Sequence, residues 1–159
     1  MKPEEAVPPI IFGRLRVEEI IDLRHRVLRA GLPVETASFP GDKALPTQHF
    51  GAWYLKGGVK NVVGCASVML NAYEGTAAWQ LRGMATDDAY RGQGIGRQVL
   101  ELTEVSLKDS LHRVDMLWCN AREGAASFYE KNDWHCVSDV FEIPTAGPHR
   151  KMVKRLWMV

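Results

Sequence analysis

Tyr90-Arg91-Gly92-Gln93-Gly94-Ile95-Gly96-Arg97 stands between an apolar, strand-like run and a helix-like one. Gly92, Gly94 and Gly96 lack a Cβ, so the chain there can turn tightly and aim consecutive N–H groups at one anion. The helix that follows adds its unpaired first amides and the positive end of its dipole to the same spot. Arg91 and Arg97 flank the turn with fixed positive charge. A pyrophosphate of a nucleotide-type cofactor is the ligand such a turn is built to hold.

Outward from the turn, the chain reads as alternating short elements. Ile10 to Phe12 suggests a short strand, and the apolar positions 17, 20, 21, 23, 27 and 28 predict a helix over Val17 to Leu28, decorated by Arg24, Arg26 and Arg29. Pro33, Pro40, Gly41 and Pro46 make residues 30–47 a long ordered loop. His49 to Leu55 and Val62 to Leu70 form a hairpin across Gly57-Gly58, and a turn at Tyr73 to Thr76 leads into a third strand, Ala77 to Thr86. Gly83 inside that strand marks a bulge or a close backbone approach.

A helix over Gly94 to Ser110 carries Ile95, Val99, Leu102 and Val105 on its packing side. Val114 to Cys119 reads as a buried strand, Gly124 to Lys131 as a short helix, His135 to Ile143 as a strand, and Lys151 to Val159 as a last strand. The order predicts a mixed α/β (α+β) fold, one sheet covered by helices.

Length and composition set bounds. A chain of 159 residues with 46% hydrophobic and 25% charged content suits a single domain over residues 1–159. A formal charge of +1 gives no field that would recruit nucleic acid or an anionic membrane. The apolar stretches are strand-sized and the Pro-rich start has no secretory apolar core, so a soluble cytoplasmic protein is expected. Cys65, Cys119 and Cys136 form no C-x-x-C pair and read as reduced core residues. The five histidines have no ligand spacing, so no metal is expected.

Two phosphate-binding fingerprints fail. Counting G-x-G-x-x-G from Gly92 puts Arg97 at the third glycine, and a Walker A loop would need Gly-Lys-Ser/Thr where Gly96-Arg97-Gln98 stands.

What the residues do resemble is the GNAT superfamily of acetyl-CoA-dependent N-acetyltransferases. Its R/Q-x-x-G-x-G/A signature is met by Arg91-Gly92-Gln93-Gly94-Ile95-Gly96. The strand Leu81-Arg82-Gly83-Met84-Ala85-Thr86 stands at the family's distance, and Ala125-Ala126-Ser127-Phe128-Tyr129-Glu130-Lys131 matches its A-x-x-F-Y-E-K helix. The resemblance implies a central, mostly antiparallel sheet of about seven strands, splayed between strands 4 and 5. It further implies that backbone groups of Met84, Ala85 and Thr86 pair with the pantetheine arm, and that Arg91, Gly92, Gln93, Gly94, Ile95, Gly96 and Arg97 hold the pyrophosphate. Asn120 is a further cofactor-binding candidate, and Tyr129 falls where many family members place the general acid that protonates the departing thiolate. Tyr129 packing as an ordinary helix residue is the plain alternative, and Phe128 is assigned to the core.

The implied reaction is transfer of the acetyl group of acetyl-CoA to a primary amine by direct attack in a ternary complex. The amine would belong to a small molecule or a peptide, with no nucleic acid or membrane partner. A non-catalytic CoA or acyl-CoA sensor on the same fold is the alternative. The chain departs from the family at Asp133-Trp134, where Gly-Phe is common, and at Arg122, where an asparagine is common; the first puts the turn geometry in question. Spacing identifies no general base: His49, Glu35 and Asp42 fall in segments expected on the acceptor side, with His49 expected to be solvated or capped at a strand start. Arg24, Arg26, Arg82 and Pro40-Gly41-Asp42 are candidates to line an acceptor pocket suited to a carboxylate or phosphate. The family often dimerises, and the apolar Leu156-Trp157-Met158-Val159 would suit such an interface.

Overall fold

The computed structural model describes residues 6–157. Its elements in chain order are β1 (Ile11–Leu15), α1 (Val17–Leu28), a short 3-10 helix (Val34–Ala37), β2 (Gln48–Lys56), β3 (Val59–Leu70), β4 (Trp79–Thr86), a 3-10 turn (Asp88–Tyr90), α2 (Ile95–Lys108), β5 (Met116–Arg122), a 3-10 turn (Glu123–Ala125), α3 (Ala126–Lys131), β6 (His135–Cys136), β7 (Phe141–Ile143) and β8 (Gly147–Arg155). The sheet has eight strands rather than about seven, in the order β1-β2-β3-β4-β5-β8-β6, with β7 also on β8. Its β4–β5 pairing is parallel and takes in Trp79↔Leu117 and Gln80↔Trp118, at the start of β4. Such a short ladder is what a sheet splayed between its fourth and fifth strands requires.

The chain forms two compact, interleaved units. Among the described residues one comprises 6–40, His49–Ala66 and Gly83–Leu102; the other comprises Gly41–Gln48, Ser67–Arg82 and 103–157. In the first, β1 pairs antiparallel with β2, and α1 lays Val17, Ile20 and Leu23 against Leu15, Trp53, Cys65 and Ala85. The helix starts cleanly because the Glu19 carboxylate accepts the Arg16 N–H at 2.9 Å; that bond, with Lys60 at 3.1 Å, holds the Glu19 carboxyl below its ordinary value. In the second, β8 pairs antiparallel with β5 from Met116↔Arg155 to Arg122↔His149.

Several sequence expectations change. Residues 30–47 carry the 3-10 helix over Val34–Ala37 rather than loop alone. The strand expected over His135 to Ile143 is two strands, because the Ser138 hydroxyl breaks the ladder: it accepts the Lys151 N–H at 2.8 Å and donates to the Asp139 carbonyl at 2.8 Å. The last strand is Gly147–Arg155, not Lys151 to Val159; Leu156 is buried, and Met158 and Val159 lie outside the described residues. On α2, Val105 is exposed, while Leu100, Thr103 and Leu107 are buried beside Ile95 and Val99.

Arg24 is buried rather than a surface decoration of α1, and His49 is buried rather than solvated. Cys65 and Cys119 are core residues as expected, with burial pushing each thiol up to about 12, but Cys136 is exposed.

Candidate functional site

In the first unit the glycine turn is assembled stepwise. Asp87 leaves β4 with its N–H donated to the Val63 carbonyl at 2.8 Å, and its carboxylate caps the Asp88–Tyr90 turn by accepting the Ala89 N–H at 2.9 Å. The same carboxylate meets Arg26 of α1 at 2.9 Å, and Arg26 also holds Asp22 at 2.8 Å. The Ala89 N–H, then Arg26, holds the Asp87 carboxyl below its ordinary value. The stalk of the turn is thereby tied to α1, while Tyr90 stacks on Tyr54 with ring centroids 6.1 Å apart.

Gly92 and Gly94 both have φ of +77°, the left-handed region glycine alone enters without strain. A Cβ on Gly92 would meet no atom within 4 Å, so the requirement there is torsional rather than one of crowding. α2 begins at Ile95, and its first bond, from the Gln98 N–H to the Gly94 carbonyl at 3.1 Å, leaves the amides of Ile95, Gly96 and Arg97 outside the helical ladder. No acidic residue stands in that first turn. Arg91, Gly92, Gln93, Gly94 and Arg97 are exposed, and the Arg91 pair with Asp88 at 3.0 Å joins two side chains that are 64% and 83% exposed. So exposed a pair is weak enough to be exchanged for a phosphate. An exposed nest of amides between two guanidinium groups is a site for a polyanion.

The strand entering this turn carries the other predicted cofactor residues. Gly83 sits in β4 with φ of +59°, the predicted irregularity, and Met84, Ala85 and Thr86 follow it, Ala85 buried in the core cluster.

In the second unit lie the candidates Asn120 and Tyr129. Asn120 follows buried Cys119 on β5, and its Oδ1 is buried without a hydrogen-bond partner. An orphan acceptor of this kind fits a ligand donor such as a pantetheine amide. Tyr129 is buried, and burial, then the neighbouring Cys119, pushes its phenol well above the ordinary tyrosine value. The phenol is therefore a neutral O–H donor at physiological pH.

Phe128, expected in the core, is only half-buried; Tyr129 takes the inner position, with Phe128 edge-on at 5.2 Å and Trp134 at 5.3 Å. The end of α3 explains the choice. The Trp134 N–H donates to the Tyr129 carbonyl at 3.0 Å and the Asp133 N–H to the Glu130 carbonyl at 3.2 Å, with Asp133 at φ of +68°. This is a Schellman cap whose apolar contact is the Tyr129–Trp134 ring pair. Asp133 thus adopts the left-handed turn that the departure from glycine had put in question, at a strain of about 1 kcal/mol. Trp134, read in the sequence only as a departure, is the residue that seats Tyr129.

The acceptor-side candidates separate. Asp42 and Arg82 meet Thr47, Ser67, Val68 and Met69 around a shallow surface dimple, and Arg82 donates to the Met69 sulfur at 3.3 Å. Arg24 and Arg26 belong to the first unit and are engaged with Ala37 and with Asp22 and Asp87. Among the described residues no group of histidine, cysteine, aspartate or glutamate side chains could hold a metal ion, and no helix is long and apolar enough to cross a membrane.

Residues 48–136 match the acetyltransferase (GNAT) domain family. An N-acetyltransferase of Bacillus subtilis (strain 168), YitI, described as uncharacterized, is 32% identical over 142 residues, 89% of this chain and 93% of that protein. Among solved structures, an N-acetyltransferase from Lactobacillus plantarum superposes with a TM-score of 0.71 at 18% identity, covering 96% of this chain and all of the other. An aminoglycoside 6'-N-acetyltransferase complexed with coenzyme A gives 0.71 at 14% identity over 94% of this chain and 98% of its own. The chain belongs to the GNAT acetyltransferase family.

Proposed function

We propose that this chain, acting as one domain, transfers the acetyl group of acetyl-CoA to the primary amine of a small molecule or peptide by direct attack in a ternary complex. The observation that carries the reading is the pair of left-handed glycines, Gly92 and Gly94, opening onto an α2 N-terminus free of acidic side chains. Acetyl-CoA supplies the activated thioester. The amides from Gly92 to Arg97 bind its pyrophosphate, with Arg91 and Arg97 neutralising charge. Backbone groups of Met84, Ala85 and Thr86 pair with the pantetheine amides and polarise the thioester carbonyl, and Asn120 accepts a further cofactor N–H. Tyr129, kept neutral by burial, gives its proton to the departing sulfur, and the proton the amine sheds on forming the amide returns the phenol to its neutral form.

Thiol release from acetyl-CoA across a panel of small amines and peptide N-termini tests the reading. Coenzyme A binding with no release for any amine would make the chain a sensor of acyl-CoA rather than an enzyme. No coenzyme A binding by folded protein would end both readings.

A further inference from the structure

A buried arginine calls for a reason, because a guanidinium keeps its charge and loses its hydration when it is enclosed. Arg24 is fully enclosed, although it sits on α1 between Asp22 and Arg26, both on the solvent side. Its Nη1 donates to the Ala37 carbonyl at 3.0 Å, and its guanidinium carbon lies 4.1 Å from the centre of the Phe39 ring. Phe39 has Arg29 nearby as well, at 5.1 Å. The segment after α1 is thus folded back onto one cation through a carbonyl and an aromatic face.

That cation presses on the irregular point of β4. A Cβ built on Gly83 would lie 2.9 Å from Arg24 Nε and 2.8 Å from Phe39 Cε2, closer than real Cβ atoms come. Gly83 itself is held at φ of +59°, and its carbonyl accepts the Cys65 thiol at 3.5 Å. Burial keeps Cys65 a neutral donor, with its pKa pushed up to about 12. Gly83 is therefore gripped from both sides, by the guanidinium and ring at its Cα and by the thiol at its carbonyl. Two and three residues further on, Ala85 and Thr86 lead from this point to the glycine turn.

We propose that Arg24 is a positioning residue for coenzyme A: with Phe39 it clamps the left-handed Gly83 and so fixes the Met84–Thr86 backbone that receives the pantetheine arm. This rests on the coenzyme reading above and assigns the arm, not the pyrophosphate, to the clamp. Arg24 acts through the strand and does not touch the ligand.

The two halves of coenzyme A separate the roles. Titration calorimetry compares full coenzyme A with its 3'-phospho-ADP half, which has no pantetheine and needs only the glycine turn. Arg24→Met keeps the stem and removes the planar head; it is expected to weaken coenzyme A roughly tenfold and raise the KM for acetyl-CoA alike, since sub-ångström displacement of aligned groups is felt at that scale. Affinity for the half-ligand and the KM for the amine stay unchanged. Arg24→Lys, which restores charge without the planar fork, recovers only part of the loss.

Should Arg24→Met fail to fold, Gly83→Ala disturbs the same clamp from the strand side and is expected to show the same selective loss. Equal weakening of both ligands, or of neither, overturns the positioning role while leaving the coenzyme reading intact. Wild-type protein that binds neither ligand overturns the coenzyme reading itself, and this role falls with it.

Discussion

The two units handle their candidate site residues in opposite ways. In the first, the candidate ligand groups are main-chain amides at an exposed turn, and side chains serve as scaffolding: Asp22, Arg26 and Asp87 tie the turn to α1. In the second, the group of interest is a side chain, the Tyr129 phenol, and the main chain serves as scaffolding through the cap that ends α3. An anion is best met by many weak donors fixed in space, whereas a proton donor needs one group kept neutral by its surroundings. The difference shows that loss of charge at the turn and loss of one oxygen on α3 are separable experiments.

The sharpest break is expected at the turn. Reversing both Arg91 and Arg97 to glutamate should weaken coenzyme A by about a thousandfold in calorimetry, from two lost charge-assisted contacts of about 1.5–3 kcal/mol each, with the melting temperature nearly unchanged because both side chains are exposed. On the other side, Tyr129→Phe should lower kcat by about a hundredfold at unchanged coenzyme A affinity, read by thiol release.

The same variant has a pH signature. Tyr129 in the folded chain ionises above the ordinary tyrosine value, so above about pH 10 the unfolded chain releases a proton that the folded chain keeps. Stability present below that pH is lost as pH rises further, and chemical denaturation should show a shallower alkaline decline in Tyr129→Phe.

Smaller effects sharpen the contrast. Asp87→Asn should destabilise by about 1 kcal/mol near neutrality, through the lost ion pair and weakened cap. Since the folded Asp87 carboxyl sits below its ordinary value, the wild-type advantage should hold above about pH 4 and vanish as pH falls further. Asp133→Gly should move stability the other way, raising it by about 1 kcal/mol in urea, because glycine enters the left-handed cap without strain.

How much of this could be read from the chain follows the same divide. The glycine turn is legible because a positive φ leaves a mark in the sequence: Gly92 and Gly94 stand where glycine avoids the strain other residues would carry. Gly83 was legible for the same reason. The helix α1 was found at its true limits from apolar spacing, yet that spacing gave Arg24 to the solvent, since its burial depends on Ala37 and Phe39 folding back from beyond the helix.

On α3, six residues are too few for a period to decide which of Phe128 and Tyr129 faces inward. The decision is made by Trp134, five positions after Tyr129 and outside the helix. The division of the His135 to Ile143 run is likewise set by a hydroxyl bonding to a strand distant in sequence, through Ser138 and Lys151.

The uneven placement of the cysteines has a practical side. Cys65 and Cys119 are enclosed, whereas Cys136 is open to reagents. In a chromogenic disulfide assay the native chain should add one molar equivalent of fast background colour before any substrate turns over, and denaturant should reveal two more. Capping that outer sulfur with a maleimide removes the background, and a fluorescent maleimide would label the second unit at one known position without any engineered residue.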